Sequence, residues 1–187
     1  NLGQAPARQA AIAAGLPLSA GATTINKVCG SGMKAIMLGA DLIAAGSAKV
    51  VVAGGMESMS NAPHMLPNSR SGNRYGNFQA VDHMAFDGLT NAYDGQPMGV
   101  FGEDCVSKYG FSREDQDAWA IQSVQRAQAE TTSGAFADEI TPVTVASRKG
   151  EVQLSVDEQP GRSDIGKIPT LRPAFKKDGT ITAASSS

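Results

Sequence analysis

The chain has 187 residues, 41% hydrophobic and 18% charged, with a formal net charge of −2. That composition predicts one or two compact domains with a core, and the near-neutral charge excludes a global pull towards nucleic acid or an anionic membrane surface. No apolar run reaches the ~20 residues of a membrane span, and the sequence carries no signal-peptide pattern. Two unpatterned cysteines, Cys29 and Cys105, make no disulfide framework and point to a reducing, cytoplasmic setting. His64 and His83 are the only histidines. Asn1 is no initiator methionine and "TITAASSS" breaks off inside a β-like run, so the expectation is a segment of a longer protein.

"PARQAAIAA" (6–14) opens with Pro at a first-turn position and closes on Gly15, which predicts a short helix. "ATTINKV" (22–28) has the β-branched density of a strand. From Met33 to Ala45 apolar residues recur at helical spacing, with Gly46 as the stop. "KVVVAGG" (49–55) is the continuous apolar run of a strand covered on both faces. Strand, helix and strand in that order predict a βαβ unit with Cys29 at the carboxyl end of its first strand.

Residues 60–100 are rich in Asn, Gly, Pro, Ser and Met and predict a long excursion without a core layer. A helix is expected over 98–109. Another starts at Ser112, capped through Asp115, with Ala120, Ile121, Val124 and Ala127 on one face and Gly134 beyond its end. "EITPVTVA" and "EVQLSVDE" alternate as a β-pair joined by "SRKG". No repeat or metal-ligand cluster at recognised spacing emerges.

Cys29 stands where the chain turns into a helix. Unpaired amides and the positive end of the dipole favour a thiolate there. Gly30 and Gly32 are expected to let the backbone turn sharply and leave room for a substrate carbonyl, and the Cys29 amide can help hold an oxyanion. A second reading uses the same turn. Gly30-x-Gly32-x-x-Ala35 fits an NAD(P)-binding, Rossmann-type module, with Glu57 as the acidic residue beyond. Spacing alone leaves both open.

"NKVCGSGMKA" (26–35) followed by "VVAGGMESMSNAPHML" (51–66) resembles the thiolase family of acetyl-CoA acetyltransferases. "SREDQDAWAIQSVQRA", "GAFADEITPV" and "LRPAFKKDGTITAASSS" extend the resemblance over essentially the whole chain. It implies a layered α/β/α/β/α core of two similar halves, with an inserted α+β loop domain that binds coenzyme A. Residues 1–57 would be part of the first half of the core, 58–179 the loop domain, and 180–187 the return into the core.

The same resemblance makes Cys29 the residue acylated by acyl-CoA. It places Leu89 and Met98 along the pantetheine and acyl tunnel, and Phe175, Ala183 and Ser187 at the adenine and pantetheine portions. The basic residues Arg162, Lys167, Arg172, Lys176 and Lys177 suit a phosphate-rich ligand, with Arg162 the best single candidate. Where many members of the family carry a histidine before the methionine, this chain has Pro97, which removes a polar contact to the thioester chain. The stretch 61–88 corresponds to a region used in family tetramers, so a homo-oligomer is expected.

The implied reaction is two-step acyl transfer. Cys29 takes an acyl group from one acyl-CoA, and a carbanion from a second acetyl-CoA attacks the acyl-cysteine to give acetoacetyl-CoA or a short 3-oxoacyl-CoA; thiolysis is the reverse. A helix terminus contributes only about 0.3–1 kcal/mol to the thiolate, so full activation calls for a histidine. Neither His64 nor His83 matches the family's catalytic histidine, and the motifs for that histidine, the second cysteine and an asparagine do not occur here. The residues given are therefore expected to be inactive alone. Cys105 is expected to be a packed thiol, Asn26 to brace the turn, Met56 and Met59 to be core, Glu57 to be a hydrogen-bonded turn residue, and Trp119 to pack its helix. A non-catalytic assembly partner with the same fold is the third reading.

Overall fold

The computed structural model describes residues 2–186. The chain divides into two compact units, Asn1–Thr90 and Asn91–Ser187, each with its own helices. The boundary between them falls within the segment 58–179 that the family pattern assigns to one loop domain.

In the first unit, helix α1 (Pro6–Ala13) begins on its proline. It ends where Gly15 turns to a φ of 80° and Leu16 N–H reaches back to the Ala11 carbonyl at 3.0 Å. The Arg8 guanidinium donates to the Leu18 carbonyl at 2.7 Å and fastens the following loop to the helix. Helix α2 (Ser31–Ala44) closes in the same way at Gly46, with Ser47 N–H on the Leu42 carbonyl at 2.9 Å.

α2 lies against the run that follows it. A Cβ on Gly39 would stand 3.1 Å from Val51 Cγ1, and one on Gly32 would stand 3.4 Å from Gly55 N. The chain thus doubles back across the helix as a crossover unit does. The two flanking runs, 22–28 and 49–55, form no ladder with each other or with any strand among the described residues; at the end of the first, Lys27 makes only an isolated bridge with Cys29. This corrects their expected status as paired strands. Hydropathy shows that a run is fit for a sheet, whereas pairing needs a neighbour beside it, and a crossover can return the chain to a non-adjacent position.

Residues 60–90 are the part of the expected 60–100 excursion that lies in the first unit. It holds two short antiparallel strands, β1 (His64–Met65) and β2 (Val81–Asp82), and a π-helical turn over Met84–Leu89. Met56 and Met59 are exposed, not core as expected: they sit at the start of this excursion, where no layer covers them.

The second unit is led by α3 (Met98–Tyr109) and α4 (Arg113–Ser133), separated by Gly110 in the left-handed conformation. Ser112 caps α4 through a full capping box: its hydroxyl accepts from Asp115 N–H, and the Asp115 carboxylate accepts from Ser112 N–H. Such a box stabilises a helix start by about 0.5–2 kcal/mol. The inward stripe of α4 contains the expected Ala120, Ile121, Val124 and Ala127, and it continues through Gln116, Asp117 and Gln128. Strands β3 (Val143–Ser147) and β4 (Gly150–Leu154) pair across a tight turn, with Ser147 opposite Gly150. Helix α5 (Glu158–Arg162) and a 3₁₀ turn over Ile165–Thr170 return along α4.

Polar side chains make much of this return. Arg113 donates from Nε to Asp117 at 2.8 Å and from Nη2 to the Leu171 carbonyl at 2.9 Å, while Gln128 donates to the Pro160 carbonyl at 2.8 Å. Ala120 and Ile168 are the buried apolar side chains among the described residues. Trp119 is 73% exposed, so it does not pack its helix: it is one position, about 100° of helical turn, from buried Ala120 and two from buried Asp117. Cys105 is exposed, not packed, for the same reason: Glu103, two residues earlier, occupies the inward face of α3. No helix among the described residues is long and apolar enough to cross a membrane.

Candidate active site

Cys29 is exposed, two residues before the first residue of α2. The turn that presents it is made differently from the glycine-driven turn expected. Gly30 has an ordinary φ of −86°, and the left-handed residue is Val28, at φ 50°. A β-branched side chain in that region crowds its own backbone, a cost of about 1–3 kcal/mol. Val28 is itself exposed and recovers none of this by burial.

Local hydrogen bonds hold the residue there. Val28 N–H donates to Asn26 Oδ1 at 2.8 Å, the bracing role expected of Asn26. The Ser31 hydroxyl accepts from Lys27 N–H at 2.9 Å and donates to the Val28 carbonyl at 2.7 Å. Gly30 N–H and Ser31 N–H return to the Lys27 and Val28 carbonyls, each at 3.1 Å. Every backbone amide from Lys27 to Ser31 is thereby occupied except that of Cys29, which has no acceptor among the described residues. A thiol beside its own open amide has one hydrogen-bond donor at hand for an oxygen bound next to the sulfur. No histidine is hydrogen-bonded to Cys29; His83 pairs with Asp87 at 3.0 Å, in the π-helical turn.

Gly32 serves packing. The Gly55 backbone fills the space beside it, so this glycine lets α2 approach the 51–55 run instead of leaving a berth for a pyrophosphate. Glu57 is the hydrogen-bonded turn residue expected, accepting from Ser58 N–H at 3.0 Å.

The other candidate residues are spread over both units. Leu89 ends the π-helical turn of the first unit and is 45% exposed. Met98 is the first residue of α3, with Pro97 as N-cap, its φ of −65° already suited to entering the helix. Phe175 lies over Gly99, its ring in the space a Cβ there would take, so Phe175 stands beside the Met98 end of α3. Ala183 follows the fully buried Thr182 in a tight turn, in which Thr182 N–H donates to Ser185 Oγ at 2.9 Å. Ser187 lies outside the described residues.

Arg162 is exposed and ion-paired with Glu158 at 2.6 Å. Lys167 pairs with Asp164 at 3.2 Å and Lys176 with Asp104 at 2.8 Å, whereas Arg172 and Lys177 make no ion pair among the described residues. Exposed pairs of this kind are worth about 0–1 kcal/mol, so a phosphate can displace the carboxylates.

Glu103 was not singled out in the sequence. Its buried carboxylate accepts from Thr180 N–H at 2.9 Å and Ile181 N–H at 2.8 Å, both on Oε1, and Ala174 N–H donates to the Ile181 carbonyl at 2.9 Å. The stretches carrying Phe175 and Ala183 are thereby fixed to α3. A glutamate in mid-helix gives no sequence signal that its partners lie nearly eighty residues away, at Thr180 and Ile181.

The model of the thiolase N-terminal domain matches residues 1–187. An acetyl-CoA acetyltransferase of Chromobacterium violaceum is 54% identical over 188 residues, covering 99% of this chain and 48% of the relative. One from Schizosaccharomyces pombe is 50% identical over 189 residues, covering 100% of this chain and 48% of the relative. The crystal structure of the Acat5 thiolase of Ascaris suum in complex with coenzyme A superposes with a TM-score of 0.87 at 46% identity. It covers 98% of this chain and 46% of that one. The chain spans about half the length of the curated relatives it matches.

Proposed function

The chain belongs to the thiolase family and has its α/β fold, and from that premise we propose that it supplies the acyl-accepting cysteine and part of the CoA-binding surface of an acetyl-CoA acetyltransferase. The observation that carries this reading is Cys29, exposed beside its own unpaired amide at the mouth of α2.

The chemistry follows from those two groups. The Cys29 sulfur attacks the thioester carbonyl of acetyl-CoA, and its amide donates to the oxygen that becomes negative. Collapse of the tetrahedral adduct expels CoA as its thiol and leaves acetyl-cysteine. A base then removes a proton alpha to the carbonyl of a second acetyl-CoA, the carbanion attacks the acetyl-cysteine carbonyl, and the acyl–sulfur bond breaks to release Cys29 as thiolate, giving acetoacetyl-CoA or, with longer acyl groups, a short 3-oxoacyl-CoA. Thiolysis reverses these steps. CoA is substrate throughout, and no resident cofactor takes part.

Leu89, Met98, Phe175 and Ala183, with Ser187, are the CoA and acyl contacts in this reading, and Arg162 is the phosphate contact. Residues 1–57 and 180–187 belong to the first half of a layered core, and 58–179 to the loop domain. The exposed apolar residues of α2 (Met33, Ile36, Met37 and Ile43) support further core layers against that helix. A cytoplasmic homo-oligomer, a tetramer in the family pattern, completes the proposal.

The test is mass spectrometry of the whole protein after mixing with acetyl-CoA. An adduct of one acetyl group on Cys29, lost in Cys29→Ala with CoA binding retained, is the expected result; acetylation unaffected by Cys29→Ala would defeat the reading. The 187 residues alone are expected to give no acetoacetyl-CoA thiolysis, because they hold no histidine bonded to Cys29.

A further inference from the structure

We infer that Ser31 is a positioning residue for the acyl transfer: its hydroxyl holds Val28 in the left-handed conformation that sets the direction of the Cys29 sulfur and amide. The inference rests on Cys29 being the acylated residue and adds the device that aims it.

The hydroxyl is used twice. It accepts from Lys27 N–H at 2.9 Å and donates to the Val28 carbonyl at 2.7 Å, so it spans the two backbone groups on either side of the disfavoured residue. Asn26 takes the remaining group, Val28 N–H, at 2.8 Å. All the polar backbone atoms of Val28 are therefore bonded in a way that fits φ 50°. Valine has no preference of its own for this conformation, which glycine adopts freely. Without the Ser31 hydroxyl, Lys27 N–H loses its acceptor and Val28 relaxes to negative φ. The chain entering Cys29 then swings, taking both the sulfur and the open amide with it. Ser31 touches no substrate in this account; it acts through Val28.

Two variants of the whole protein test this. In Ser31→Ala, acetylation of Cys29 at saturating acetyl-CoA is expected to slow at least tenfold, while CoA affinity and the thermal midpoint stay close to those of the parent. In the double variant Val28→Gly with Ser31→Ala, the backbone reaches φ 50° without the clamp, and most of the lost rate is expected to return. Alkylation of Cys29 by iodoacetamide, which needs no CoA site, should follow the same order.

Acetylation of Ser31→Ala at the parental rate would overturn the inference while leaving Cys29 as the nucleophile. So would a loss that glycine at 28 fails to repair. An adduct absent from Cys29 in the parent protein is a different result: it removes the nucleophile itself and the clamp with it.

Discussion

Replacing Glu103 by alanine removes the acceptor for two backbone amides, and the structure gives the size of the effect. Oε1 takes Thr180 N–H at 2.9 Å and Ile181 N–H at 2.8 Å. Oε2 adds longer contacts to Thr180 N–H at 3.1 Å and Oγ1 at 3.4 Å. A bond to a charged acceptor contributes about 1.5–3 kcal/mol, and an amide left without a partner costs about 1–3 kcal/mol when buried. Thr180 and Ile181 are only half-buried, so water replaces part of the loss. The net expectation for Glu103→Ala is about 2–4 kcal/mol. Glu103→Gln should cost about 0.5–1.5 kcal/mol, because an amide oxygen at the Oε1 position keeps both short bonds.

Hydrogen exchange at the Thr180 and Ile181 amides reads this directly, with urea unfolding in parallel. Each 1.4 kcal/mol is a factor of about ten in the opening equilibrium. Glu103→Ala should therefore speed exchange at these two amides by about thirty-fold to a thousand-fold. Glu103→Gln should do so by no more than about tenfold. Asp104→Asn is the control: it breaks an exposed pair with Lys176 one residue away and should change exchange by less than about fivefold. Exchange at 180 and 181 within about threefold of the parent in Glu103→Ala would refute the anchoring role.

Three further outcomes are expected. Gly99→Ala should displace Phe175, whose ring holds the space of the new methyl group, at about 1–3 kcal/mol in urea denaturation and with weaker CoA binding by calorimetry. Arg113→Lys keeps the charge but loses the fork that holds Asp117 and the Leu171 carbonyl together, and the urea midpoint should fall by the equivalent of about 1–3 kcal/mol. Arg162→Gln breaks only an exposed pair with Glu158, so stability should move by less than about 1 kcal/mol, while CoA affinity falls severalfold; unchanged affinity would remove Arg162 from the phosphate contacts.

Local order was legible in the sequence wherever its cause is local. Pro6, Ser112 with Asp115, and Gly134 mark helix ends by chemistry contained within one turn of chain, and the helices begin and stop there. The hairpin 143–154 was legible because alternation and a tight turn are both near-neighbour properties. The sheet status of 22–28 and 49–55 was not, since a ladder depends on a strand elsewhere. Trp119 shows the same limit from the other side. Its type favours burial, but its angular place on α4, outside the arc of inward Gln116, Asp117 and Ala120 and about 160° of helical turn from Asp117, leaves it exposed.

The glycines of the site carry the point further. Gly30 and Gly32 looked like the means of turning the chain, and a β-branched residue two places before Gly30 gave no hint of taking that role. Yet Val28 makes the left-handed turn, held by Ser31 and Asn26, while Gly32 and Gly39 are spent on bringing α2 against Gly55 and Val51. A glycine is compatible with either use, and the neighbour that decides between them lies more than ten residues along the chain. The motif "VCGSG" therefore fixes where the sulfur is, and the second apolar run, through "VVAGG", fixes what the helix beneath it rests on. That pairing explains why the two stretches identify the family together when neither does so alone.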